Sequence, residues 1–342
     1  MTGRLVLLVS LLVLAGCVDR VAAPVIAADT LSGGHRVEVL VATNRARNEA
    51  GFFDRGRQQE LQFARAEVSI PPVHRPGDAP RYSPEPKPDR HFALTAEDPI
   101  AGERAFVAAL RQALSQRPPE HREVTLYVHG FYNGYADAVF RMAQMHSDFA
   151  MKGVPVAFSW PSAASPAGYA YDRDSVLYSR DALERVIGLA ARAGARNLVL
   201  LGHSMGSFLV METLRQADLK RPGWVAQNVD AVVLMSPDIS VDVFRAQTGD
   251  MRRLPREFIV VTSQKDVALR LSTRVSLERD RLGLGNSAAT LSDLPITFVD
   301  LTDFSDRDTN SHFVAAESPA LIALIAAAND LPGHVEPGNR TL

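Results

Sequence analysis

The sequence has a single cysteine, Cys17, among its 342 residues, which excludes a disulfide within one chain. Net charge is also nearly absent, at −2, so electrostatics favours neither nucleic acid nor an anionic membrane surface as a partner. The metalloprotease spacing H-E-x-x-H is missing and Cys and His residues do not cluster. The sequence therefore predicts neither a metal site nor a cofactor.

The N-terminus has the layout of a secretory signal. Arg4 precedes an apolar run at residues 5–15, which is too short for a comfortable transmembrane helix. The next residues complete the stretch LAGC at 14–17, which resembles a bacterial lipobox. That resemblance implies removal of residues 1–16 and acylation of Cys17, although a plain signal peptide or an uncleaved anchor stays open. With Val18 and not Asp after Cys17, we expect attachment to the outer membrane on its periplasmic side.

The domain organisation follows from composition. Residues 17–36 are predicted to be the lipidated cysteine and a tether, 37–328 a single folded domain, and 329–342 a flexible tail. Seven of the 21 prolines lie within residues 71–88, which indicates an irregular surface segment. This segment could cover a site or act as a spacer.

The pattern of apolar runs indicates an α/β fold with a mostly parallel sheet. Strands are predicted at residues 37–45, 64–72, 124–130, 154–160, 197–203, 229–238, 256–266 and 296–301, and helices at 101–115, 134–150, 174–193, 205–216 and 317–328. The strands from 124 onward are apolar on both faces and alternate with helices, which is typical of a parallel sheet covered on both sides. In such a sheet, active groups lie at the carboxyl ends of the strands.

One strand end carries the motif G-H-S-M-G at residues 202–206. The apolar run 198–201 precedes it and a predicted helix follows, which is the context of a nucleophile elbow. A loop of small residues that matches the motif by chance is the alternative. The context favours Ser204 as a nucleophile, and a serine nucleophile requires a base and an orienting carboxylate.

The base is sought after Ser204, because the chain order in this architecture is serine, acid, histidine. Only His312 and His334 follow it. His334 lies among Pro and Gly beyond the last helix, whereas His312 lies in the loop after the last strand. We therefore predict His312 as the base.

For the acid, Asp266 follows the strand FIVVT at its carboxyl end, and Asp238 follows the preceding strand. Further aspartates, Asp303, Asp306 and Asp308, precede His312. An aspartate at a strand end is often only a helix cap. Asp266 is favoured because the acid usually follows the strand after next from the nucleophile, and Asp238 remains the alternative.

Two backbone N–H groups are predicted to form the oxyanion hole, one from Met205 in the elbow and one from Phe131. Gly130 would let the Phe131 turn approach the site, whereas His129 is expected to be structural. Three aromatic residues after residue 158, Trp160, Tyr169 and Tyr171, are possible pocket residues or simply pack their loop on the sheet.

The segments VEVLVATNR, AEVSIPP, LYVHGFYN, VAFSWPS, LGHSMGS, TSQKDVAL and NSHF together resemble the α/β-hydrolase superfamily over residues 37–328. The resemblance is to a bacterial branch of esterase- and lipase-like proteins of unknown function. It implies Ser204 as nucleophile, His312 as base, Asp266 as its partner and hydrolysis of an ester. The run His129-Gly130-Phe131-Tyr132 departs from the H-G-G-G pattern, so that type of oxyanion loop is not expected.

The predicted function is hydrolysis of a small-molecule or lipid ester, or a thioester, in the cell envelope through an acyl-enzyme. An acyltransferase would use the same acyl-enzyme and differ only in the second nucleophile. A catalytically silent binding protein on the hydrolase fold is a third possibility, because fold alone does not imply function.

Overall fold

The computed structural model describes residues 23–27, 33–276, 280–285, 287–304, 312–319 and 322. The predicted signal peptide, Cys17 and the predicted tail lie outside these residues. Among the described residues, no helix combines the length and apolar character needed to span a membrane.

Nine strands and nine helices are described, besides short 3-10 turns. The strands are β1 (His35–Arg47), β2 (Phe53–Ile70), β3 (Ala93–Ile100), β4 (Glu123–Val128), β5 (Val154–Ser159), β6 (Asn197–His203), β7 (Ala231–Met235), β8 (Glu257–Thr262) and β9 (Thr297–Asp300). The helices are α1 (Gly102–Ser115), α2 (Tyr135–Asp148), α3 (Tyr169–Arg192), α4 (Met205–Lys220), α5 (Trp224–Asn228), α6 (Val241–Gly249), α7 (Val267–Ser276), α8 (Ser287–Thr290) and α9 (Val314–Glu317).

The strands form one sheet in the order β3-β2-β1-β5-β4-β6-β7-β8-β9. From β1 to β9 every neighbouring pair is parallel, whereas β2 runs antiparallel to both β1 and β3. The carboxyl ends of β4, β6 and β8 therefore open on the same edge, where the predicted site residues follow them. The α/β-hydrolase fold class predicted from the sequence is confirmed.

Two hydrophobic layers cover the sheet, one on each face. Alternate residues of β1 divide between them, with Leu40 and Ala42 in one layer and Val39 and Val41 in the other, because successive side chains of a strand point to opposite faces. Helices α1, α3 and α4 fill the first layer and α2 the second. This double burial explains why the central strands read as continuous apolar runs.

The sequence missed β3 and the first half of β2. Strand β3 reads ALTAEDPI, and its polar residues with Pro99 hide the strand pattern. Proline is tolerated because β3 is an edge strand, where one side needs no ladder hydrogen bond. Two predicted strands are also shorter, since β7 ends at Met235 and β8 at Thr262. Most of the predicted helix 317–328 lies outside the described residues.

The proline-rich segment 71–88 lies against α2. His74 Nε2 is 2.9 Å from Asp148 Oδ1, and the N–H of Gly77 donates to the other oxygen of Asp148 at 2.9 Å. Further along, the Tyr82 hydroxyl donates to Asp137 at 2.8 Å. The segment is thus irregular in backbone but fixed to the helix at three points.

Candidate active site

Ser204 occupies the turn between β6 and α4, with φ 52° and ψ −120°. A positive φ is strained for a residue with a side chain, so the surrounding structure must hold it. The Ser204 N–H donates to the Met235 carbonyl at 2.9 Å, and its carbonyl accepts from Asp238 N at 3.2 Å. Neighbouring β7 and the loop after it therefore fix the strained turn from both sides.

The elbow packs directly against the turn after β4. A Cβ atom on Gly206 would lie 2.3 Å from the carbonyl oxygens of Val128 and His129, so only glycine fits there. From the other side, a Cβ atom on Gly130 would lie 3.0 Å from the Ser204 Cβ. Gly130, which precedes Phe131, therefore packs directly against Ser204.

The two amides predicted to form the oxyanion hole lie on these two touching turns. Met205 is the first residue of α4, and Phe131 follows Gly130. Within the described residues, neither N–H donates a hydrogen bond. The first amides of a helix are natural partners for an anion, and the Met205 N–H is one of them.

His312 and Asp266 meet at the same edge. His312 Nδ1 is 2.8 Å from Asp266 Oδ2, and the Asp266 side chain is fully buried. A carboxylate only accepts, so Nδ1 carries a proton, and in the neutral imidazole the lone pair is then on Nε2. The second oxygen, Oδ1, accepts from Leu269 N at 2.9 Å in the first turn of α7. Asp266 is therefore both a helix cap and the partner of His312.

His203, the residue before Ser204, ties the loop of His312 to the elbow. Its Nε2 lies 3.1 Å from the His312 carbonyl oxygen, and its ring stacks on Phe313 at 4.0 Å between centroids. Burial first, and then the proximity of His312, hold the pKa of His203 well below its ordinary value. The ring is therefore neutral and donates from Nε2. Sequence reasoning missed this contact, since a motif gives no sign of what its variable position touches.

Asp238, the alternative acid, has other partners. Its carboxylate accepts from Ser272 Oγ at 2.6 Å and from the Tyr169 hydroxyl at 3.0 Å, and it lies 3.3 Å from Arg281 Nε. The structure thus places Asp266, and not Asp238, beside His312.

The three possible pocket residues have different environments. Trp160 is fully buried and donates from Nε1 to the His129 carbonyl at 2.7 Å, so it packs its loop onto the sheet. Tyr171 donates to the Arg55 carbonyl at 2.6 Å and lies beside Arg57, away from the elbow. Of the three, Tyr169 packs against Phe131, with 5.5 Å between the ring centroids in an edge-to-face arrangement.

A buried cation behind the site was also missed by sequence reasoning. Arg45 is 1% exposed and lies near the end of β1. The signal that could have found it is a charged residue inside the predicted strand 37–45, where burial on both faces leaves no solvent.

A small open cleft lies beside the loop after β4. Gly134, three residues after Phe131, lines it together with Tyr82, Arg47 and Phe53. Among the described residues, no cluster of three or more His, Cys, Asp or Glu side chains could hold a metal ion. The predicted lipidation site, Cys17, lies outside the described part of the chain.

The parallel sheet with a strained serine turn at a strand end defines the chain as an α/β hydrolase. It belongs to the family described as "Alpha/beta hydrolase of unknown function (DUF900)", whose model matches residues 103–328. The search of curated proteins found no match.

Two solved structures are similar to the chain. An α/β serine hydrolase without a lid from Xanthomonas campestris has a TM-score of 0.41 and 12% identity, covering 91% of this chain and all of its own. A lipase-esterase related protein from Clostridium acetobutylicum has a TM-score of 0.35 and 10% identity, covering 63% of this chain and 96% of its own.

Proposed function

We propose that the protein is a serine hydrolase that cleaves a carboxylic ester or a thioester through an acyl-enzyme. The observation that carries this proposal is the 2.8 Å contact between His312 Nδ1 and Asp266 Oδ2, in a loop that His203 ties to the turn of Ser204. Ser204, Asp266 and His312 come from distant parts of the sequence in the chain order that this chemistry uses, and the His312–Asp266 pair lies in a loop bonded to the residue before Ser204.

In the first half of the reaction, Ser204 Oγ attacks the carbonyl carbon while its proton passes to His312 Nε2. The carbonyl electron pair moves to oxygen, and the N–H groups of Phe131 and Met205 bind the resulting oxyanion. Collapse of this intermediate breaks the bond to the leaving group, which takes the proton from His312. Asp266 stabilises the imidazolium that exists between the two proton transfers.

In the second half, water repeats the sequence on the acyl-enzyme. His312 takes a proton from water, the hydroxide attacks the acyl carbon, and Ser204 Oγ leaves with the proton. Ser204 is only 4% exposed, so the reaction would take place away from bulk water, where the amide dipoles act strongly.

The proposal is tested by labelling with a fluorophosphonate probe, followed by mapping of the modified residue and hydrolysis of short p-nitrophenyl esters. We expect the label on Ser204, and its loss together with turnover in Ser204→Ala. Ser207→Ala is the matched control, because the Ser207 hydroxyl bonds the Gly202 carbonyl at 2.9 Å and does not reach the site. Failure of the folded protein to label would instead favour a binding protein on this fold.

A further inference from the structure

We propose that Arg45 is a positioning residue for the oxyanion hole, which acts by fixing the proton of His129 on Nδ1 and thereby orienting the Gly130–Phe131 peptide. The inference rests on the proposed function, since it concerns the amide assigned to the oxyanion.

Arg45 connects the ends of three strands behind the site. Its Nε donates to Ser159 Oγ at 2.8 Å, its Nη1 to the Ser162 carbonyl at 3.0 Å, and its Nη2 to the Asn133 carbonyl at 2.8 Å. A buried cation is costly unless such partners satisfy it. Burial lowers the pKa of Arg45 to about 10, against the opposing effect of Asp172, so the guanidinium is charged at neutral pH.

The position of Arg45 decides which nitrogen of His129 carries the proton. Arg45 Nη2 lies 3.3 Å from His129 Nε2, and because a guanidinium can only donate, a hydrogen bond between them requires the lone pair on Nε2. Burial and then the charge of Arg45 lower the pKa of His129 to about 3, so the ring holds a single proton. That proton is on Nδ1, which lies 2.9 Å from the Gly130 carbonyl oxygen.

Without Arg45 the other tautomer would be favoured. His129 Nε2 also lies 3.1 Å from the Trp160 carbonyl, which could accept a proton from that nitrogen. Nδ1 would then face the Gly130 carbonyl as a second acceptor, and the two lone pairs would repel. Arg45 therefore acts as the group that selects between two competing hydrogen bonds.

The Gly130 carbonyl belongs to the same peptide unit as the Phe131 N–H. In a trans peptide the two groups point in opposite directions, and no cis peptide is present among the described residues. His129 Nδ1 and Asn133 Nδ2, the latter at 3.3 Å, both donate to this carbonyl. Because Arg45 contacts both His129 and Asn133, it controls the direction in which the Phe131 N–H points.

The first test observes the wild-type tautomer directly and needs no turnover. Selective ¹⁵N labelling of histidine distinguishes protonated from unprotonated ring nitrogens, and His129→Asn identifies the signals of His129 by difference. We expect the Nδ1–H form in the wild-type protein at pH 7. The Nε2–H form would overturn the inference, whatever the fate of the proposed hydrolysis.

The second test uses Arg45→Met. We expect the tautomer to change to Nε2–H and kcat for ester hydrolysis to fall about 100-fold, with KM nearly unchanged, as for loss of one oxyanion donor. Arg57→Met is the matched control, because Arg57 faces Arg45 in the β1–β2 register but bonds Ser175 Oγ and the Tyr171 carbonyl. A folded Arg45→Met protein with unchanged kcat would overturn the inference.

A third comparison guards against misfolding of Arg45→Met. An asparagine at position 129 can place its amide nitrogen close to the position of His129 Nδ1 and donate to the Gly130 carbonyl, whereas leucine has no donor. We expect His129→Asn to keep most of kcat and His129→Leu to lose about 100-fold. Equal losses in both would overturn the inference. If the wild-type protein neither labels nor turns over, the proposed function fails while the tautomer result stands by itself.

Discussion

Asp266 Oδ2 meets His312 Nδ1 at 2.8 Å across 46 residues of sequence, while the other carboxylate oxygen caps helix α7. One side chain thus fixes the direction of the helix and the tautomer of the histidine. Replacement by asparagine keeps the shape but lets the amide donate to Nδ1, which forces the proton to Nε2 and removes the base. We expect Asp266→Asn to lower kcat by about 10⁴-fold with a small change in KM.

Asp238→Asn provides the comparison for this variant. This substitution removes the negative charge beside Arg281 and lowers the free energy of unfolding, but it leaves the Asp266–His312 contact in place. We expect its kcat to fall far less than that of Asp266→Asn in the same p-nitrophenyl ester assay. The reverse order would make Asp238 the acid.

Stability should depend on pH through the buried histidines. The pKa of His129 is about 3 in the folded protein, against an ordinary value of 6.5, and burial also lowers the pKa of His146 to about 4. At a pH between the lowered pKa of each histidine and its ordinary value of 6.5, the unfolded chain binds a proton that the folded chain does not. The free energy of unfolding therefore falls as pH decreases from about 6.5 toward 3, by up to about 1.4 kcal/mol per pH unit for each such histidine.

Urea unfolding at pH 6.5, 5.5 and 4.5 measures this slope. In His129→Asn one of the contributing protons is absent, so we expect a shallower slope than in the wild-type protein. The comparison uses differences within each protein, which cancels the stability that the substitution itself removes at neutral pH. Identical slopes would mean that His129 is protonated in the folded state within this range.

Much of the candidate site was predictable because the elbow is encoded locally. The apolar run of β6, the two glycines and the start of α4 lie within ten residues, so the sequence shows where the turn is, although β7 and the loop after it hold its strained backbone. Arg45 was not predictable as a contact of His129, because 84 residues separate them and no pattern connects a polar side chain in a strand to its partner. The sequence left two roles open for Trp160 for a related reason, since an aromatic residue after a strand can pack inward as readily as line a pocket.

The lipid anchor is tested separately from the site. Cys17→Ser removes the thiol that acylation requires, and one or two acyl chains are what hold such a protein at a membrane. We expect the variant to leave the membrane fraction after cell disruption while it keeps wild-type labelling at Ser204. Retention in the membrane fraction would contradict acylation at Cys17 and favour an uncleaved anchor.

Gly206 tests how tightly the elbow and the turn after β4 pack together. A Cβ atom would lie 2.3 Å from two carbonyl oxygens of the sheet, and backbone groups cannot move aside as a flexible side chain would. We expect Gly206→Ala to lower the free energy of unfolding by about 4 kcal/mol or to prevent folding.

Gly249→Ala is the matched control, because Gly249 ends α6 with nothing within 4 Å of its Cβ position. Alanine is a better helix former than glycine, so this variant should be unchanged or up to about 1 kcal/mol more stable. If Gly206→Ala unfolds in urea like the control, the elbow has room to shift, and the close contact between Gly130 and Ser204 does not constrain the site.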